Sequence, residues 1–359
     1  MGEADSPAKR EKYQRRVKEG LDRAIADPHV TETELDLERD RLVIFSDHHR
    51  GARDGADDFW RCERAYRAAL GYYLEEGHRL FLLGDVEELW ENGPREVLAS
   101  YGDTLALERE FYELGRLERF WGNHDDAWRH PDAVKAHFES DFPGLVIREA
   151  LKLHATRRGA RVGLFFLVHG HQGTLDSDRL GGLSRIVVRY GWRPIQTHIR
   201  MASTTPAQDF QLRAAHDDAM FEWASNRPEH LVLIAGHTHK PVFSTPKSMP
   251  EPAADDLRGR LDKLRKKGAT PDEIADVRAE LELVCTAPFG DPPKEMPIPC
   301  YFNTGCCSFG DGDVTGIEFR DGEIRLVRWL DDKYEPHPQQ LAAKPVKEVF
   351  EQVRTAAGT

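Results

Sequence analysis

Cysteine is scarce in this sequence, and long hydrophobic runs are absent. The five cysteines form no Cys-x-x-Cys pair, which argues against a disulfide framework or a thiolate zinc site. The longest apolar runs, such as Leu164–Val168, are far shorter than the ~20 residues that a membrane span needs. The first 40 residues are densely charged and lack the apolar region of a secretory signal. We therefore expect a reducing, cytoplasmic location, no transmembrane segment, and cysteines that are buried by packing.

The chain also lacks an excess of positive charge. Its 359 residues carry 50 Lys and Arg against 62 Asp and Glu, a formal net charge of −12. This balance argues against bulk electrostatic attraction to nucleic acid or anionic lipid, although a local basic patch can still exist. The length suits one large α/β domain with insertions, or two small domains. Histidine, in contrast, is abundant, with 16 residues.

Short runs rich in Val, Ile, Leu and Phe alternate with stretches of helical periodicity, a pattern that predicts an α/β fold. We expect a charged, helical N-terminal extension over residues 1–40, a main domain over 41–335 and a C-terminal tail over 336–359. Two segments of the main domain have the composition of helical insertions, 176–226 and the charged 249–298. Strands are predicted over 41–46, 79–83, 117–121, 163–168, 230–235, 242–244, 300–303, 315–319 and 324–330, with a helix over 57–76.

Five of the predicted strands end in clusters of metal-ligating residue types. In an open α/β sheet, ligands bind outside the carboxyl ends of strands, so we expect these clusters to converge on one crevice. Two Asp, an Asn oxygen and several imidazoles form a mixed set suited to Mn, Fe, Zn, Co or Ni. A carboxylate between two such groups can bridge metals ~3.5–4 Å apart. The clusters are Asp47-His48-His49, Gly84-Asp85, Gly122-Asn123-His124-Asp125, His169-Gly170-His171 and Gly236-His237-Thr238-His239.

This series of motifs resembles the calcineurin-like metallophosphoesterase superfamily over about residues 41–245. The resemblance implies a four-layer α/β/β/α sandwich that binds two divalent metal ions, with manganese favoured over Fe, Zn, Co, Ni or Mg. One ion is expected on Asp47, His49 and His239. The other is expected on Asn123, His169 and His237, with Asp85 bridging the two.

The resemblance further implies in-line attack on phosphorus by a hydroxide that bridges the metals. His124 is then expected to stabilise the charged transition state or to protonate the leaving oxygen, and Asp125 to orient its imidazole. Arg50 is either a phosphate clamp, because a guanidinium holds phosphate bidentately, or a surface charge. His171 is a further candidate substrate contact.

The substrate is left more open than the reaction, which we expect to be hydrolysis of a phosphodiester or pyrophosphate bond. The run Gly84-Asp85-Val86-Glu87-Glu88-Leu89-Trp90 is similar to one in UDP-diacylglucosamine hydrolases, and the 176–226 insertion falls where that branch carries a lipid-covering lid. A UDP-sugar lipid, with peripheral membrane contact, is therefore one candidate. His124 stands where those enzymes have Arg, and this leaves a different diester or nucleotide-type substrate open. The apolar positions of 176–226 either line an acyl groove or pack on the protein's own core.

Two other classes of function remain as alternatives. A nuclease acting on single-stranded nucleic acid would use the basic and aromatic stretch around 183–200 as its groove. A metal-binding scaffold without turnover is the non-enzymatic alternative. A nuclease predicts salt-sensitive binding to oligonucleotides, whereas a lipid lid predicts activity that rises with acyl chain length. The sequence does not determine the oligomeric state.

Overall fold

The computed structural model describes residues 7–55, 57–174, 210–243, 259–261, 263–269, 274, 277, 296–332 and 334–357. Within them, the chain forms two mixed β-sheets flanked by helices. The named helices are α1 (Pro7–Ala26), α2 (Phe59–Glu75), α3 (Pro94–Ser100), α4 (Gly102–Glu113), α5 (Pro131–Phe138), α6 (Phe210–Ser225) and α7 (Val346–Ala357). The strands are β1 (Thr31–Asp36), β2 (Leu42–Phe45), β3 (Arg79–Leu83), β4 (Leu117–Phe120), β5 (Ile147–Arg148), β6 (Ala150–Arg157), β7 (Ala160–Val168), β8 (Val232–Ala235), β9 (Val242–Phe243), β10 (Tyr301–Asn303), β11 (Val314–Arg320), β12 (Glu323–Asp332) and β13 (Glu335–Pro345).

Strand direction brings the loops of interest together. The seven-stranded sheet has the order β13-β12-β11-β2-β3-β4-β5, in which β2 to β5 run parallel. The six-stranded sheet has the order β1-β6-β7-β8-β10-β9, in which β7, β8 and β10 run parallel. Parallel neighbours end at the same sheet edge, so the loops after β2, β3 and β4 are neighbours, as are those after β7 and β8.

The core explains why the central strands are apolar on both faces. Leu42 and Ile44 of β2 belong to a buried cluster that includes residues of both sheets. Val43 and Phe45 belong to a second cluster with α2. Both faces of β2 are thus covered, which is why its sequence is a continuous apolar run and not an alternating one.

Most of the predicted elements are confirmed to within a few residues. The strand predicted over 79–83 is β3 with the same bounds, and the strand predicted over 41–46 is β2. The helix predicted over 57–76 is α2, and its predicted inward positions are all buried: Phe59, Cys62, Tyr66, Ala69 and Tyr73.

Both termini hold more structure than the sequence indicated. The N-terminal segment contains α1 and also the strand β1, which pairs in parallel with β6. The expected tail instead begins with β13, which pairs along β12, and continues into α7. That helix buries Val346, Val349, Phe350 and Val353 in the core shared by the two sheets. A helix that packs this way is part of the domain.

The two predicted insertions are described in part. Residues 176–209, which include the basic stretch at 183–200, lie outside the described residues. The rest of the first insertion is mainly α6, whose Met220 and Trp223 are buried in the core. In the second, Arg260 pairs with Asp311 of the domain at 2.7 Å, while Leu261, Leu264 and Val277 form a small apolar cluster within the segment itself.

Two further expectations concern cysteines and membranes. Four cysteines lie in the described part of the chain, and all four are buried and unbridged. None of the described helices combines the length and the apolar character that crossing a membrane requires.

Candidate metal centre

The predicted ligands lie in loops that directly follow five strands. Asp47 and His49 follow β2, Asp85 follows β3, and Asn123 follows β4, all in the seven-stranded sheet. His169 follows β7, and His237 and His239 follow β8, in the six-stranded sheet. Six of these seven side chains form two groups that could each hold one cation, Asp47-His49-His239 and Asp85-His169-His237, and His49 and Asp85 form a third such group with His124.

The first group consists of Asp47, His49 and His239, whose ligand atoms lie within 4.8 Å of one another. The Nε2 atoms of His49 and His239 are 3.0 Å apart, and Asp47 Oδ1 is 3.2 Å from His239 Nε2. Asp47 is fully buried. Two imidazole nitrogens and a carboxylate oxygen facing a common point are the donor set of a borderline divalent metal.

The second group consists of Asp85, His169 and His237, again with ligand atoms within 4.8 Å. Asp85 Oδ2 lies 3.1 Å from His169 Nε2. The Nδ1–H of His169 donates to the carbonyl of Leu83 at 2.8 Å, which leaves Nε2 as the nitrogen that can ligate a metal. The fixed ring orientation is typical of metal-binding histidines.

Asn123, in the loop after β4, is the remaining predicted ligand. Its Oδ1 is buried and has no hydrogen-bond partner among the described residues. An orphaned buried carbonyl oxygen normally costs about 1–3 kcal/mol, and a cation would satisfy it. This set of buried and partly buried donors is therefore compatible with divalent metal ions.

Asp85 lies between the two groups. Its Oδ2 is 3.8 Å from His49 Nε2 in the first group and 3.1 Å from His169 Nε2 in the second. The backbone N–H of His124 donates to Oδ1 at 2.8 Å and fixes the carboxylate. Asp85 thus lies within 4 Å of a histidine of each group.

Backbone strain is concentrated at these ligands. Asp47, His49, Asp85, His237 and His239 all have positive φ, between 50° and 70°. Residues other than glycine rarely adopt this region, and each instance costs of order 1–3 kcal/mol, as is common at functional sites. The local backbone conformation serves to aim the side chains.

Glycines make room for the two acidic ligands. A Cβ on Gly236 would lie 2.5 Å from Asp47 Oδ2, and a Cβ on Gly122 would lie 2.7 Å from the backbone N of Asp85. Neither approach is compatible with a larger residue. Both positions therefore require glycine on steric grounds.

His124 is held from two sides. Its Nδ1 donates to Glu88 Oε2 at 2.6 Å, and its ring stacks on Trp90 with centroids 4.0 Å apart. The Trp90 indole N–H donates to the carbonyl of Asn123 at 2.7 Å. The imidazole is therefore fixed in both tautomer and plane.

Glu88 is a site residue that the sequence reasoning did not assign. Its carboxylate also accepts a hydrogen bond from His49 Nδ1 at 3.1 Å, so it orients one candidate ligand and His124 together. Burial raises the pKa of Glu88, but the charges and hydrogen bonds of His124 and His49 outweigh it and lower the pKa to about 2. The signal available in the sequence was its place in the Gly84–Trp90 run.

Asp125 does not have the role predicted for it. Its carboxylate accepts hydrogen bonds from the backbone N–H groups of Gly122 at 2.6 Å and Val86 at 2.8 Å. It thereby ties the loop after β4 to the loop after β3. The orientation of His124 comes from Glu88 instead, because Asp125 is already occupied by these two backbone donors.

Arg50 is neither a surface charge nor a residue open to substrate. Its side chain is 1% exposed and pairs with Glu108. Arg119, equally buried, donates to both oxygens of Glu87 at 2.7 Å. A guanidinium committed to buried carboxylates cannot clamp phosphate, and its role here is structural.

His171 is buried behind the second group. It is 2% exposed, and its ring centroid lies 5.0 Å from that of Trp121 and 5.4 Å from that of His169. Burial lowers its pKa to about 3, so the ring is neutral at pH 7. It borders the candidate metal centre without belonging to either ligand group.

Two comparisons with known proteins give no match. A scan against protein-family models finds no match to the chain, and a search of curated proteins finds no matching sequence. Its function is therefore inferred from its own residues and geometry.

Proposed function

We propose that this chain is a dinuclear metal-dependent phosphohydrolase of the calcineurin-like metallophosphoesterase superfamily. The observation that carries the proposal is that Asp and His side chains from five strand ends form three overlapping groups, each able to hold a metal ion: Asp47-His49-His239, His49-Asp85-His124 and Asp85-His169-His237. Two mixed sheets flanked by helices also fit the four-layer α/β/β/α sandwich of that superfamily. Many metal-ligating side chains converge here, and several of them sit on strained backbone. Neither chance nor a purely structural role explains this well.

The proposed ligands follow from the two groups. One ion is assigned to Asp47, His49 and His239, and the other to Asn123, His169 and His237, with Asp85 shared. The set contains oxygen and imidazole donors but no thiolate, which suits Mn, Fe, Zn, Co or Ni, and manganese is the ion that the resemblance favours. Bound there, divalent cations supply charge neutralisation on phosphoryl oxygens and activation of a water molecule.

The chain's own contribution to catalysis is centred on His124. Because its Nδ1 proton is donated to Glu88, Nε2 is the ring nitrogen left to face a substrate. In its protonated form the ring stabilises negative charge on the phosphoryl group or delivers a proton to the leaving oxygen. Glu88 and Trp90 keep it in position for either task.

The proposed reaction is hydrolysis of a phosphodiester or pyrophosphate bond. Glu88 and Trp90 both contact His124, which supports a functional role for the Gly84–Trp90 segment. The similarity to UDP-diacylglucosamine hydrolases depends on this segment. A UDP-sugar lipid is therefore our leading substrate class. Residues 176–209, which make up most of the predicted lid and contain the candidate nuclease groove at 183–200, lie outside the described residues.

Titration of the metal-free chain with Mn²⁺ tests the proposed centre. We expect two ions per chain for the wild type and a loss of occupancy in Asp85→Asn. Asp321→Asn is the matched control, because that aspartate is 63% exposed at its side chain, lies in the β11–β12 turn and keeps a residue type that tolerates its positive φ. Wild-type protein that takes up no stoichiometric Mn²⁺, or equal losses in both variants, would contradict the proposal.

A further inference from the structure

Helix α6 presents two adjacent buried polar residues behind the candidate metal centre. The Nε2–H of His216 donates to the carbonyl of Gly170 at 2.8 Å. Asp217 Oδ1 accepts hydrogen bonds from the hydroxyls of Thr238 at 3.1 Å and Tyr301 at 2.7 Å. His216 is 2% exposed and Asp217 is 5% exposed. Both are therefore committed to contacts inside the protein.

These contacts fall on the two loops that carry histidine ligands. Gly170 follows His169 directly, and Thr238 lies between His237 and His239. The His216 ring also lies 5.0 Å from the His237 ring, between centroids. One helix thus holds the loop after β7 with one residue and the loop after β8 with the next.

The loops after β7 and β8 have strained backbone conformations. Gly170 has φ 114°, while His237 and His239 have φ 70° and 56°. Such conformations persist only where surrounding contacts over-determine them. Asn303 adds to the restraint, because its amide donates to the carbonyl of Gly236 at 2.6 Å and to Thr238 Oγ1 at 3.2 Å.

Helix α1 sets the state of His216 from the other side. The Tyr13 hydroxyl lies 2.7 Å from His216 Nδ1. The Gly170 carbonyl can only accept a hydrogen bond, so His216 Nε2 carries the ring proton. The Tyr13 hydroxyl therefore donates to His216 Nδ1. Arg10 and Lys18 of the same helix pair with Asp218 at 2.8 Å and Glu222 at 2.5 Å on α6.

The same helix approaches the loop after β7 directly. A Cβ on Gly20 of α1 would lie 2.5 Å from the carbonyl carbon of Gln172 and 2.6 Å from the N of Gly173. Backbone therefore packs on backbone at this point, three to four residues beyond His169. The N-terminal helix is in contact with both α6 and the loop.

We propose that His216 and Asp217 are positioning residues for the metal centre, holding the two histidine loops in their strained conformations, with α1 fixing His216 through Tyr13. This inference depends on the proposed function, since it assigns a purpose to loops that we infer to bind metal. Neither residue is a candidate ligand: His216 would act through the Gly170 carbonyl and its contact with the His237 ring, and Asp217 through the Thr238 side chain. The predicted consequence is weaker metal binding when either contact is removed.

The test compares Mn²⁺ affinity in the full-length chain by calorimetric titration, with Tm measured alongside. Asp217→Ala removes the acceptor of both hydroxyls, and we expect about 10-fold weaker binding, as for other residues that support metal ligands. Asp217→Asn keeps an acceptor oxygen at that position and should restore binding to within about threefold of wild type. Asp218→Asn is the matched control one residue away, because Asp218 pairs with Arg10 instead, and should bind as wild type.

Loss of stability alone must be separated from loss of positioning. Val353→Ala removes buried volume from α7, which contacts β7 at Val162 and Gly163, six to seven residues before His169, and should lower Tm without changing Mn²⁺ affinity. Tyr13→Phe should weaken binding by a few-fold, since it removes only the hydroxyl that fixes His216.

The outcomes separate the inference from the function on which it rests. Unchanged affinity in Asp217→Ala, or an equal loss in Val353→Ala, would overturn the positioning role while leaving the metal centre in place. Wild-type protein that binds no stoichiometric Mn²⁺ would overturn both.

Discussion

Gly122 offers a sharp test of how tightly the candidate centre is built. An alanine there would put its Cβ 2.7 Å from the backbone N of Asp85, and closer still to Oδ1. Real Cβ contacts below 3.0 Å essentially do not occur, so Asp85 or its loop must move by at least about 0.3 Å. Metal–ligand distances vary within only about ±0.2 Å. We therefore expect Gly122→Ala to weaken Mn²⁺ binding by at least about 10-fold.

The same change should destabilise the metal-free protein by about 1–3 kcal/mol, as overpacking does. Gly71→Ala is the control, because Gly71 lies inside α2 with nothing within 4 Å of the added Cβ. It should stabilise the fold by about 0.5–1 kcal/mol and leave metal binding alone. Urea denaturation and Mn²⁺ titration of both variants give the comparison. Gly122→Ala protein that binds Mn²⁺ as tightly as wild type would refute this account of the site.

Three further predictions concern catalysis, acid stability and the C-terminal helix. His124→Ala should keep both metal ions, measured by metal analysis, but lose about 10²–10⁴-fold in turnover; near-normal rates would refute its role. Burial raises the pKa of Asp311, but the charges of Arg260 and Arg328 outweigh it and lower the pKa below its usual value. The Asp311 carboxylate therefore adds stability that is fully present above about pH 4 and is lost as the pH falls further. Asp311→Asn should flatten the acid side of a profile of Tm against pH. An unchanged profile would contradict this role of Asp311. Phe350→Ala should cost about 3–5 kcal/mol in denaturation experiments, because the ring is fully buried; a loss under 1 kcal/mol would mean that α7 is not part of the core.

Strands with continuous apolar runs were predictable because they lie in the interior of the sheets. Four others were not: β1, β6, β13 and the two-residue β5. Only Leu35 of β1 is buried, and β13 is largely exposed and contains three prolines. Both are edge strands, held by pairing with β6 and β12 and not by an apolar pattern. β6 alternates, with Leu151, Leu153 and Ala155 inward, and its run is too weakly apolar to stand out.

The candidate ligands were predictable because each directly follows a recognisable strand. Their supporting residues were not. Glu88 contacts a histidine 36 positions away, and Asp217 contacts a tyrosine 84 positions away. Such pairings depend on which strand ends lie side by side and on where α6 packs, which no local pattern encodes. For the same reason Arg50 was misread, since its partner Glu108 lies on α4.

The measurement that tests the central proposal most directly is phosphoester hydrolysis by the Mn²⁺-reconstituted chain. The panel comprises bis-p-nitrophenyl phosphate, p-nitrophenyl phosphate, UDP-sugar pyrophosphates with and without acyl chains, and a single-stranded oligonucleotide. We predict Mn²⁺-dependent cleavage of a diester or pyrophosphate, lost in Asp85→Asn and kept in Asp321→Asn, with preference for the acylated UDP-sugar. Salt-sensitive cleavage of the oligonucleotide as the preferred substrate would support the nuclease instead. Two bound Mn²⁺ ions with no turnover on any substrate would contradict the proposed activity and leave a metal-binding scaffold.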